Sequence, residues 1–331
     1  MAYKVLIIGC GAIAGGYDAE RSPEDWPLSH AGAIARDKRF DVWACYDTDE
    51  DARFAFMGRW NVPICMGDLD LPGEPMVDYD IIVIASPTQH HAEHLEWALT
   101  MNPKLVFCEK PLAAELGQAQ DIAARYSSAG IPLGVNFTRR WAPDLIELTE
   151  QIRDREWGPL VAAVGTYTKG IVHNGTHMID LLHMLIGELE LHSVGPARLD
   201  HWEDDPTASA ILAAGNGAPV HLVGGDANAL TQFELVLAFE RGEIAIRDGG
   251  MRVEARRVKD SETFAGYRQL GLPESVKGRY PEAMTCAYAN IADALETGAP
   301  LASTAQNALE AQAICEEIRL KALETIKKDH E

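Results

Sequence analysis

The sequence is short of basic residues and contains no long apolar run. Its 331 residues hold 29 Lys and Arg against 50 Asp and Glu, which gives a net charge of −21. A charge of this sign opposes binding to nucleic acid or to an anionic membrane surface. No stretch approaches the ~20 apolar residues that a membrane-spanning helix needs. We therefore expect neither nucleic acid nor a membrane as a partner.

Paired cysteines and repeats are also missing. The six cysteines are scattered, with no Cys-x-x-Cys pair of the kind used in zinc sites or thiol exchange. This pattern favours free thiols, mostly buried, in a reducing cytoplasm. Because Met1 leads almost directly into an apolar strand, we expect no signal peptide. Low-complexity segments are absent, and 47% hydrophobic content supports about two globular domains.

The sequence does contain a dinucleotide-binding pattern near its start. The apolar run 4–8 predicts a buried strand, and it leads into Gly9-x-Gly11-x-x-Ala14. Gly9 permits a sharp turn, Gly11 permits close approach of a pyrophosphate, and the small Ala14 lets the next helix pack closely. N–H groups at the start of that helix would bind the phosphates. The predicted cofactor contacts of this turn are Gly9, Gly11, Ala12, Ile13 and Ala14. A glycine turn of an ordinary α/β protein is the alternative.

The first crossover carries an insertion. The polar, proline-bearing stretch 15–29 precedes a helical segment at 30–35, about a dozen residues more than a compact βαβ unit needs. It is either an active-site flap or surface decoration. Strand 41–46 then ends at Asp47, whose carboxylate can accept both ribose hydroxyls and favours NAD over NADP. Alternatively Asp47 caps helix 48–60, a position for which Asp49 competes.

Further strands and helices alternate as far as residue 135. Strands at 80–85, 104–108 and 131–136 predict a doubly wound parallel sheet. Ligands bind at the carboxyl ends of such strands. The predicted cofactor contacts there are Ser86, Pro87, Thr88, His91, Glu109 and Lys110.

The pattern changes after residue 135. A helix at 144–155 is followed by strands that pair locally, with hairpin turns at 241–242 and 248–250. Successive hairpins predict a mostly antiparallel sheet and hence an α+β domain. We therefore expect an α/β protein with a dinucleotide-binding domain at 1–135 and a substrate-binding and oligomerisation domain at 136–331.

A set of motifs in the first 190 residues carries a family resemblance. They are Gly9-Cys10-Gly11 with Ala14, Ala85-Ser86-Pro87-Thr88 with His91, Glu109-Lys110-Pro111-Leu112, Asn136-Phe137-Thr138-Arg139-Arg140-Trp141-x-Pro143, and Gly175-x-His177-x-x-Asp180-Leu181-Leu182. On these motifs the sequence resembles the glucose–fructose oxidoreductase, inositol dehydrogenase and MocA family. The resemblance implies a Rossmann domain, an open-faced antiparallel sheet domain, use of NAD or NADP, and a homodimer or homotetramer joined through the sheets.

Lys110 is the first candidate catalytic residue. Transfer of a hydride between a nicotinamide and a sugar carbon requires a proton partner on the oxygen. An ammonium group at the end of a parallel strand can orient a hydroxyl and polarise the growing carbonyl, and the resemblance implies this role. The alternative is a surface lysine paired with Glu109.

His177 is the second candidate. An imidazole titrates near neutral pH and can therefore take and return a proton. On a helix, His177 and Asp180 share a face. The resemblance implies that His177 is the acid/base and that Asp180 lies near the substrate. A helix-cap or core-edge histidine is the alternative.

His173 departs from the family pattern, in which an aspartate often stands four residues before the catalytic histidine. Either His173 shares the proton relay or it binds substrate. His173 and His177 also have the spacing of a helical metal site. Because Asn174-Gly175 would interrupt such a helix and no third ligand is obvious nearby, we predict no metal. Further basic or polar residues for a hydroxyl-rich or anionic substrate are Tyr167, Lys169, Arg139 and Arg140, although Arg140 fits a structural ion pair equally well.

These features predict an oxidoreductase that uses NAD, or else NADP, to interconvert a secondary alcohol and a ketone. The partner would be a small carbohydrate-like molecule: a sugar, a polyol or a nucleotide-linked sugar. The predicted substrate contacts are His173, Asn174, Asp180, Arg139 and Lys169. Two alternatives stay open, a regulator that binds the cofactor without turnover and an enzyme that keeps NAD bound for transient redox chemistry.

Overall fold

The computed structural model describes residues 2–69 and 78–329. Contacts divide the chain into two compact units. One comprises Met1–Trp141 with Pro281–Leu309, and the other Ala142–Tyr280 with Glu310–Glu331. This division differs from the expected boundary at residue 135, because a late segment of the chain returns to the first unit.

A six-stranded parallel sheet lies at the centre of the first unit. Its strands are β1 (Tyr3–Ile8), β2 (Phe40–Tyr46), β3 (Ile64–Met66), β4 (Ile81–Ile84), β5 (Leu105–Cys108) and β6 (Leu133–Val135). They are ordered β3-β2-β1-β4-β5-β6, and all neighbouring pairs are parallel. β4 and β5 are buried along their whole length, as apolar strands of a sheet covered on both faces must be. The predicted doubly wound sheet is confirmed, with β3 added.

Four helices accompany these strands along the chain: α1 (His30–Ile34), α2 (Glu50–Trp60), α3 (His91–Thr100) and α4 (Leu116–Ala129). Ser29 caps α1 by accepting a hydrogen bond from the N–H of Gly32. Asp49 caps α2 by accepting from the N–H groups of Asp51 and Ala52. The cap of α2 is therefore Asp49 and not Asp47, which removes that alternative for Asp47.

The inserted stretch interrupts the first helix. The N–H of His30 donates to the carbonyl of Ile13 at 3.0 Å, and that of Ala31 donates to Ala14 at 2.8 Å. These partners are 17 residues apart, whereas a continuous α-helix separates them by 4, so the excursion adds 13 residues. The expected insertion of about a dozen residues is confirmed. The helix expected directly after the glycine turn is formed by α1, which follows the insertion and whose first N–H groups bond the carbonyls of Ile13 and Ala14.

Asp18 anchors this insertion. Its buried carboxylate accepts hydrogen bonds from the N–H of Leu28 at 3.0 Å and from both the N–H and the hydroxyl of Ser29. Its backbone carbonyl accepts from Arg59 of α2 at 2.9 Å. The insertion is therefore tied to the first unit at both of its ends.

A nine-stranded sheet lies in the second unit. This unit begins with the helix α5 (Pro143–Arg153), the strand β7 (Leu160–Tyr167) and the helix α6 (Thr176–Ile186). The remaining strands are β8 (Leu189–Arg198), β9 (Thr207–Ala214), β10 (Pro219–Gly224), β11 (Phe233–Phe239), β12 (Gly242–Arg247), β13 (Arg252–Asp260), β14 (Arg268–Leu270) and β15 (Glu274–Lys277). The order is β14-β13-β12-β11-β7-β10-β9-β8, with β15 also paired to β13.

The predicted antiparallel character of this sheet is confirmed, because β7 and β10 form its only parallel pair among the described residues and the other strand pairs of the sheet are antiparallel. Both predicted hairpin turns join antiparallel neighbours, β11 to β12 and β12 to β13. β11 alternates buried and half-buried residues, which is the pattern of a sheet with one face on a core.

Two helices complete the chain, α7 (Ala283–Thr297) and α8 (Ala305–Asp329). The ring of Tyr288 on α7 packs edge-on against Phe40 and Phe107, and Asn290 accepts a hydrogen bond from the indole of Trp141 at 3.0 Å. These contacts explain why 281–309 belongs to the first unit. None of the helices within 2–69 and 78–329 has the length and apolar character needed to cross a membrane.

Candidate functional site

Gly9 and Gly11 occupy different surroundings in the glycine turn after β1. Gly9 has a φ of +94°, and a Cβ there would lie 2.6 Å from the backbone nitrogen of Ser86. Gly9 is thus required where the ends of β1 and β4 meet. Gly11 is exposed, and a Cβ there would have no atom within 4 Å. The space beside Gly11 suits a pyrophosphate, whose contact with Gly11, Ala12 and Ile13 stays a prediction.

Asp47 links the end of β2 to this turn. Its carboxylate accepts from the N–H of Cys10 at 2.8 Å and from the N–H of Asp49 at 2.9 Å. Each carboxylate oxygen has two acceptor sites, so these bonds leave capacity for ribose hydroxyls. The carboxylate therefore lies beside the glycine turn, and its contact with a ribose stays a prediction.

His91 holds two strand-end loops together. Its Nδ1 lies 2.8 Å from the carbonyl oxygen of Pro111, and its Nε2 lies 2.9 Å from that of Ser86. Burial lowers the pKa of His91, although these carbonyls oppose the shift. Only 1% of the His91 surface is exposed. The structure shows His91 joining the loops that carry Ser86 and Lys110, and its direct contact with a cofactor stays a prediction.

Glu109 follows β5 and is fixed by two partners. Its Oε1 lies 3.1 Å from Nε2 of His30 and accepts a 2.6 Å hydrogen bond from the amide of Asn136. Burial tends to raise the pKa of Glu109, but these partners and the nearby Lys110 charge outweigh it and hold the pKa below its usual range. Glu109 is therefore a carboxylate at neutral pH. Its side chain is 13% exposed, and its predicted cofactor contact stays a prediction.

Lys110 lies at the carboxyl end of β5, half-buried, and is joined to Pro111 by a cis peptide bond. The neighbouring Ser86, Pro87 and Thr88 follow the adjacent strand β4, and Thr88 is half-buried. The structure thus brings the two predicted strand-end segments to one edge of the parallel sheet. Sequence reasoning did not identify His30, since its role depends on the insertion that returns the chain beside Glu109.

The two arginines after β6 lie in the helical turn Thr138–Trp141. Arg139 is 8% exposed and Arg140 is half-buried. Little of the Arg139 surface is exposed, and its predicted substrate contact stays a prediction. Lys169 belongs to the second unit, where it follows β7 with a φ of +66°.

The second unit carries the predicted histidines on consecutive helical turns. A wide, π-helical turn spans Gly170–Gly175 and leads into α6. His173 and Asn174 lie on the wide turn, and the Asn174 amide donates to the carbonyl of Thr168 at 2.9 Å. His177 and Asp180 lie on α6, which confirms the helix predicted for them. His177 is half-buried and Asp180 is 1% exposed, and the substrate contact of Asp180 stays a prediction.

His173 has partners that sequence reasoning missed. Its Nδ1 lies 3.1 Å from Oδ2 of Asp205, and its ring stacks on Trp202 with 4.2 Å between ring centroids. Asp205 belongs to the acidic run 203–205, whose composition predicts only a solvated loop. Within 2–69 and 78–329 the structure shows no group of three or more His, Cys, Asp or Glu side chains arranged to hold a metal ion.

Comparisons with known proteins agree with this architecture. Residues 3–137 match the family model described as an oxidoreductase family with an NAD-binding Rossmann fold. An inositol 2-dehydrogenase from Rhizobium meliloti (strain 1021) is 25% identical over 309 residues, which cover 87% of this chain and 91% of that protein.

Two solved structures share the fold over nearly the whole chain. An NAD-binding oxidoreductase from Klebsiella pneumoniae has a TM-score of 0.77 at 17% identity and covers 97% of each chain. A UDP-N-acetylglucosamine 3-dehydrogenase from Acidithiobacillus ferrooxidans has a TM-score of 0.75 at 14% identity, over 97% of this chain and 98% of that one. With the glycine turn, the parallel sheet and the strand-end motifs in place, residues 3–137 match the NAD-binding Rossmann domain of the glucose–fructose oxidoreductase, inositol dehydrogenase and MocA family.

Proposed function

We propose that this protein is an NAD-dependent dehydrogenase that interconverts a secondary alcohol and a ketone on a polyol, a sugar or a nucleotide-linked sugar. The observation that carries the proposal is Lys110, a lysine at the carboxyl end of β5 in a family whose Rossmann domain binds NAD. Its neighbour Glu109 is held as a carboxylate by His30 and Asn136. A cation supported in this way is suited to orient a substrate oxygen at the nicotinamide end of the site.

Asp47 supports NAD as the preferred cofactor. Its carboxylate follows β2 and already bonds the turn through Cys10 at 2.8 Å. An acceptor at this place binds both ribose hydroxyls and repels a 2′-phosphate. NADP stays a secondary cofactor for which Asp47 would be a disadvantage.

The bound nicotinamide would supply the hydride acceptor. Lys110 would donate a hydrogen bond to the substrate oxygen and polarise it as the carbonyl grows. His177 would take the hydroxyl proton in oxidation and return it in reduction. Asn174 and His173 would bind further hydroxyls, with Asp180 at the floor, and Lys169 and Arg139 would add positive charge for an anionic substrate.

The relatives support a hydroxyl-rich substrate. The curated relative that spans most of the chain is an inositol dehydrogenase, and one structural neighbour is a dehydrogenase of a nucleotide-linked sugar. Because these relatives are only 25% and 14% identical to this chain, the substrate panel described next is designed to distinguish a polyol from a nucleotide-linked sugar.

Cofactor reduction tests the proposal. Purified protein with NAD⁺ or NADP⁺ is mixed with cyclic polyols, aldoses and nucleotide-linked sugars, and absorbance at 340 nm is followed. We expect reduction of NAD⁺ by at least one class, lowered about 100-fold or more by Lys110→Met or His177→Gln. The matched control is Lys104→Met, because Lys104 lies at the other end of β5, 60% exposed and ion-paired with Asp80. Binding of NAD without turnover of any substrate would favour the regulator, and co-purified NAD that resists dialysis would favour transient redox chemistry.

Two further properties belong to the proposal. We infer a homodimer or homotetramer joined through the exposed face of the nine-stranded sheet, where Val161, Val164, Ile211 and Val223 are exposed. No disulfide joins any of the six cysteines, all of which lie in the described ranges, and this supports a reducing cytoplasmic location.

A further inference from the structure

We infer that Asp205 is a positioning residue that sets the tautomer of His173, and that His173, held between Asp205 and Trp202, accepts a hydrogen bond from a substrate hydroxyl through Nε2. The hydroxyl contact rests on the proposed function. The role of Asp205 rests on geometry within the second unit alone.

The first argument is the set of donors around Asp205. One oxygen, Oδ1, accepts from the N–H of Val172 at 2.9 Å. The other, Oδ2, accepts from the N–H of His173 at 2.8 Å and lies 3.1 Å from Nδ1 of the same residue. A carboxylate can only accept, so Nδ1 must carry the ring proton. In the neutral imidazole Nε2 then carries the lone pair and can accept a hydrogen bond from a hydroxyl group.

The second argument is that the ring has a fixed orientation. The His173 and Trp202 rings stack with centroids 4.2 Å apart and planes 17° apart. Rotation of the imidazole would break both this stack and the bond to Asp205. The His173 side chain nevertheless keeps 39% of its surface exposed, against 4% for Asp205. The pair therefore combines an inaccessible carboxylate with an accessible ring, which a purely structural histidine does not require.

The third argument is that the backbone is adapted to admit the carboxylate. Gly170 has a φ of +82°, and a Cβ there would overlap the Asp205 carboxylate. The N–H of Gly170 donates to the hydroxyl of Thr207 at 2.7 Å, and that hydroxyl donates to Asp200 at 2.7 Å. The loop that carries Trp202 and Asp205 is thus bonded to the wide turn that carries His173.

The tautomer can be read directly by ¹⁵N NMR of histidine-labelled protein, with the His173 signals assigned by their loss in His173→Gln. We expect a protonated Nδ1 in the wild type. In Asp205→Asn the single amide oxygen cannot replace both carboxylate oxygens, so we expect the Nε2-protonated form or a mixture. In Trp202→Phe, which keeps Asp205, we expect the wild-type tautomer. A protonated Nε2 in the wild type or in Trp202→Phe would overturn the role of Asp205, even if Asp205→Asn does not fold.

The hydroxyl contact is tested by kinetics on a substrate that the wild type oxidises. We expect His173→Gln to raise KM about tenfold with little change in kcat, since one hydrogen bond is lost or weakened in binding. A deoxy analogue that lacks the bound hydroxyl must abolish this difference between variant and wild type. His201→Gln is the matched control, because His201 is exposed and its ring lies perpendicular to that of Trp202 rather than stacked on it.

The outcomes separate the two claims. Unchanged KM in His173→Gln, or no deoxy analogue that removes the difference, contradicts the hydroxyl contact. A wild type that oxidises no member of the panel contradicts the proposed function and the hydroxyl contact with it. The NMR result decides the role of Asp205 in either case.

Discussion

The two glycines of the turn after β1 have different roles: the fold requires Gly9, and cofactor binding is expected to require Gly11. Gly9 is enclosed by the backbone of Ala85 and Ser86, whereas Gly11 faces open space. The sequence pattern assigns both to dinucleotide binding and cannot tell them apart. The distinction comes from the close approach of β4, a strand that begins 73 residues after β1 ends.

Alanine substitutions at these two glycines are expected to change different properties, stability at Gly9 and cofactor binding at Gly11. Gly9→Ala meets a left-handed φ and a backbone clash, so it should lower the free energy of unfolding by about 2–4 kcal/mol. Gly11→Ala should change it by less than about 0.5 kcal/mol, yet weaken NADH binding about tenfold or more because the Cβ occupies pyrophosphate space. Denaturant unfolding and NADH fluorescence titration measure the two quantities. Wild-type NADH affinity in Gly11→Ala would contradict the placement of the pyrophosphate.

Two buried histidines predict how stability depends on pH. Burial lowers the pKa of both His91 and His94. The folded protein therefore binds fewer protons than the unfolded chain once pH falls below about 6.5, the ordinary value. The contribution of the two neutral histidines to the free energy of unfolding is complete above that pH. It declines as pH falls toward 5, by at most about 1.4 kcal/mol per pH unit for each histidine. Unfolding free energies between pH 5 and 8 measure the slope.

The matched variants are His91→Gln and His192→Gln. The first should flatten the slope, and the second should leave it unchanged, because His192 is exposed. Stability that rises as pH falls through this window would contradict neutral, buried histidines. The low pKa of Glu109 acts in a separate window below about pH 4.3, where its contribution is lost as pH falls.

At the scale of elements, the insertion is the feature that most changes the Rossmann pattern. It splits the first helix, brings His30 to Glu109, and is closed by hydrogen bonds to Asp18. Sequence spacing gave its approximate length but not its anchor, since Asp18 bonds partners ten and eleven residues later with no helical or strand period.

Asp18→Ala is expected to destabilise the protein by about 2–3 kcal/mol, because the N–H groups of Leu28 and Ser29 lose their buried acceptor. Gly32→Ala should act in the same direction, since its Cβ would overlap the Asp18 carboxylate. The control is Asp25→Ala, whose side chain is 52% exposed. Thermal or denaturant unfolding measures the effect, and a stable Asp18→Ala protein would mean that the insertion has another anchor.

The strands that could be predicted from the sequence are those with a clear pattern of apolar residues. β1, β4 and β5 were predictable because continuous apolar runs mark strands buried on both faces. The missed strands β3 and β14 have three residues each, too few for a period, and β8 alternates weakly between half-buried and exposed residues. The candidate residues Lys110 and His177 follow from motifs. Asp205 does not, because it reaches His173 across 32 residues from an acidic run.

For the whole molecule, the exposed sheet face is the expected place of self-association. Ile211, His221, Val164 and Val236 lie side by side across four neighbouring strands, because the register pairs each with the next. Ile211 and Val164 are 42% and 41% exposed. Three of these four residues are apolar, and exposed apolar residues grouped on one sheet face are typical of the surfaces that subunit interfaces bury.

Val164→Glu is expected to reduce the assembly to a monomer without unfolding it, since a charge at the centre of an apolar interface is costly while Val164 is exposed in the single chain. Phe54→Glu on α2 is the control, 53% exposed and remote from the sheet in sequence. Light scattering after size-exclusion chromatography gives the mass. A wild-type mass in Val164→Glu, or a monomeric wild type, would contradict this interface.

The most direct test of the account follows an isotope. A polyol or sugar that reduces NAD⁺ is prepared with deuterium on the reacting carbon, and the reduced cofactor is analysed by mass spectrometry for wild type and Lys110→Met. We predict deuterium on the nicotinamide ring with the wild type, and a loss of transfer in Lys110→Met although NAD still binds. Reduced cofactor without deuterium, or transfer by Lys110→Met at the wild-type rate, would contradict hydride transfer assisted by Lys110.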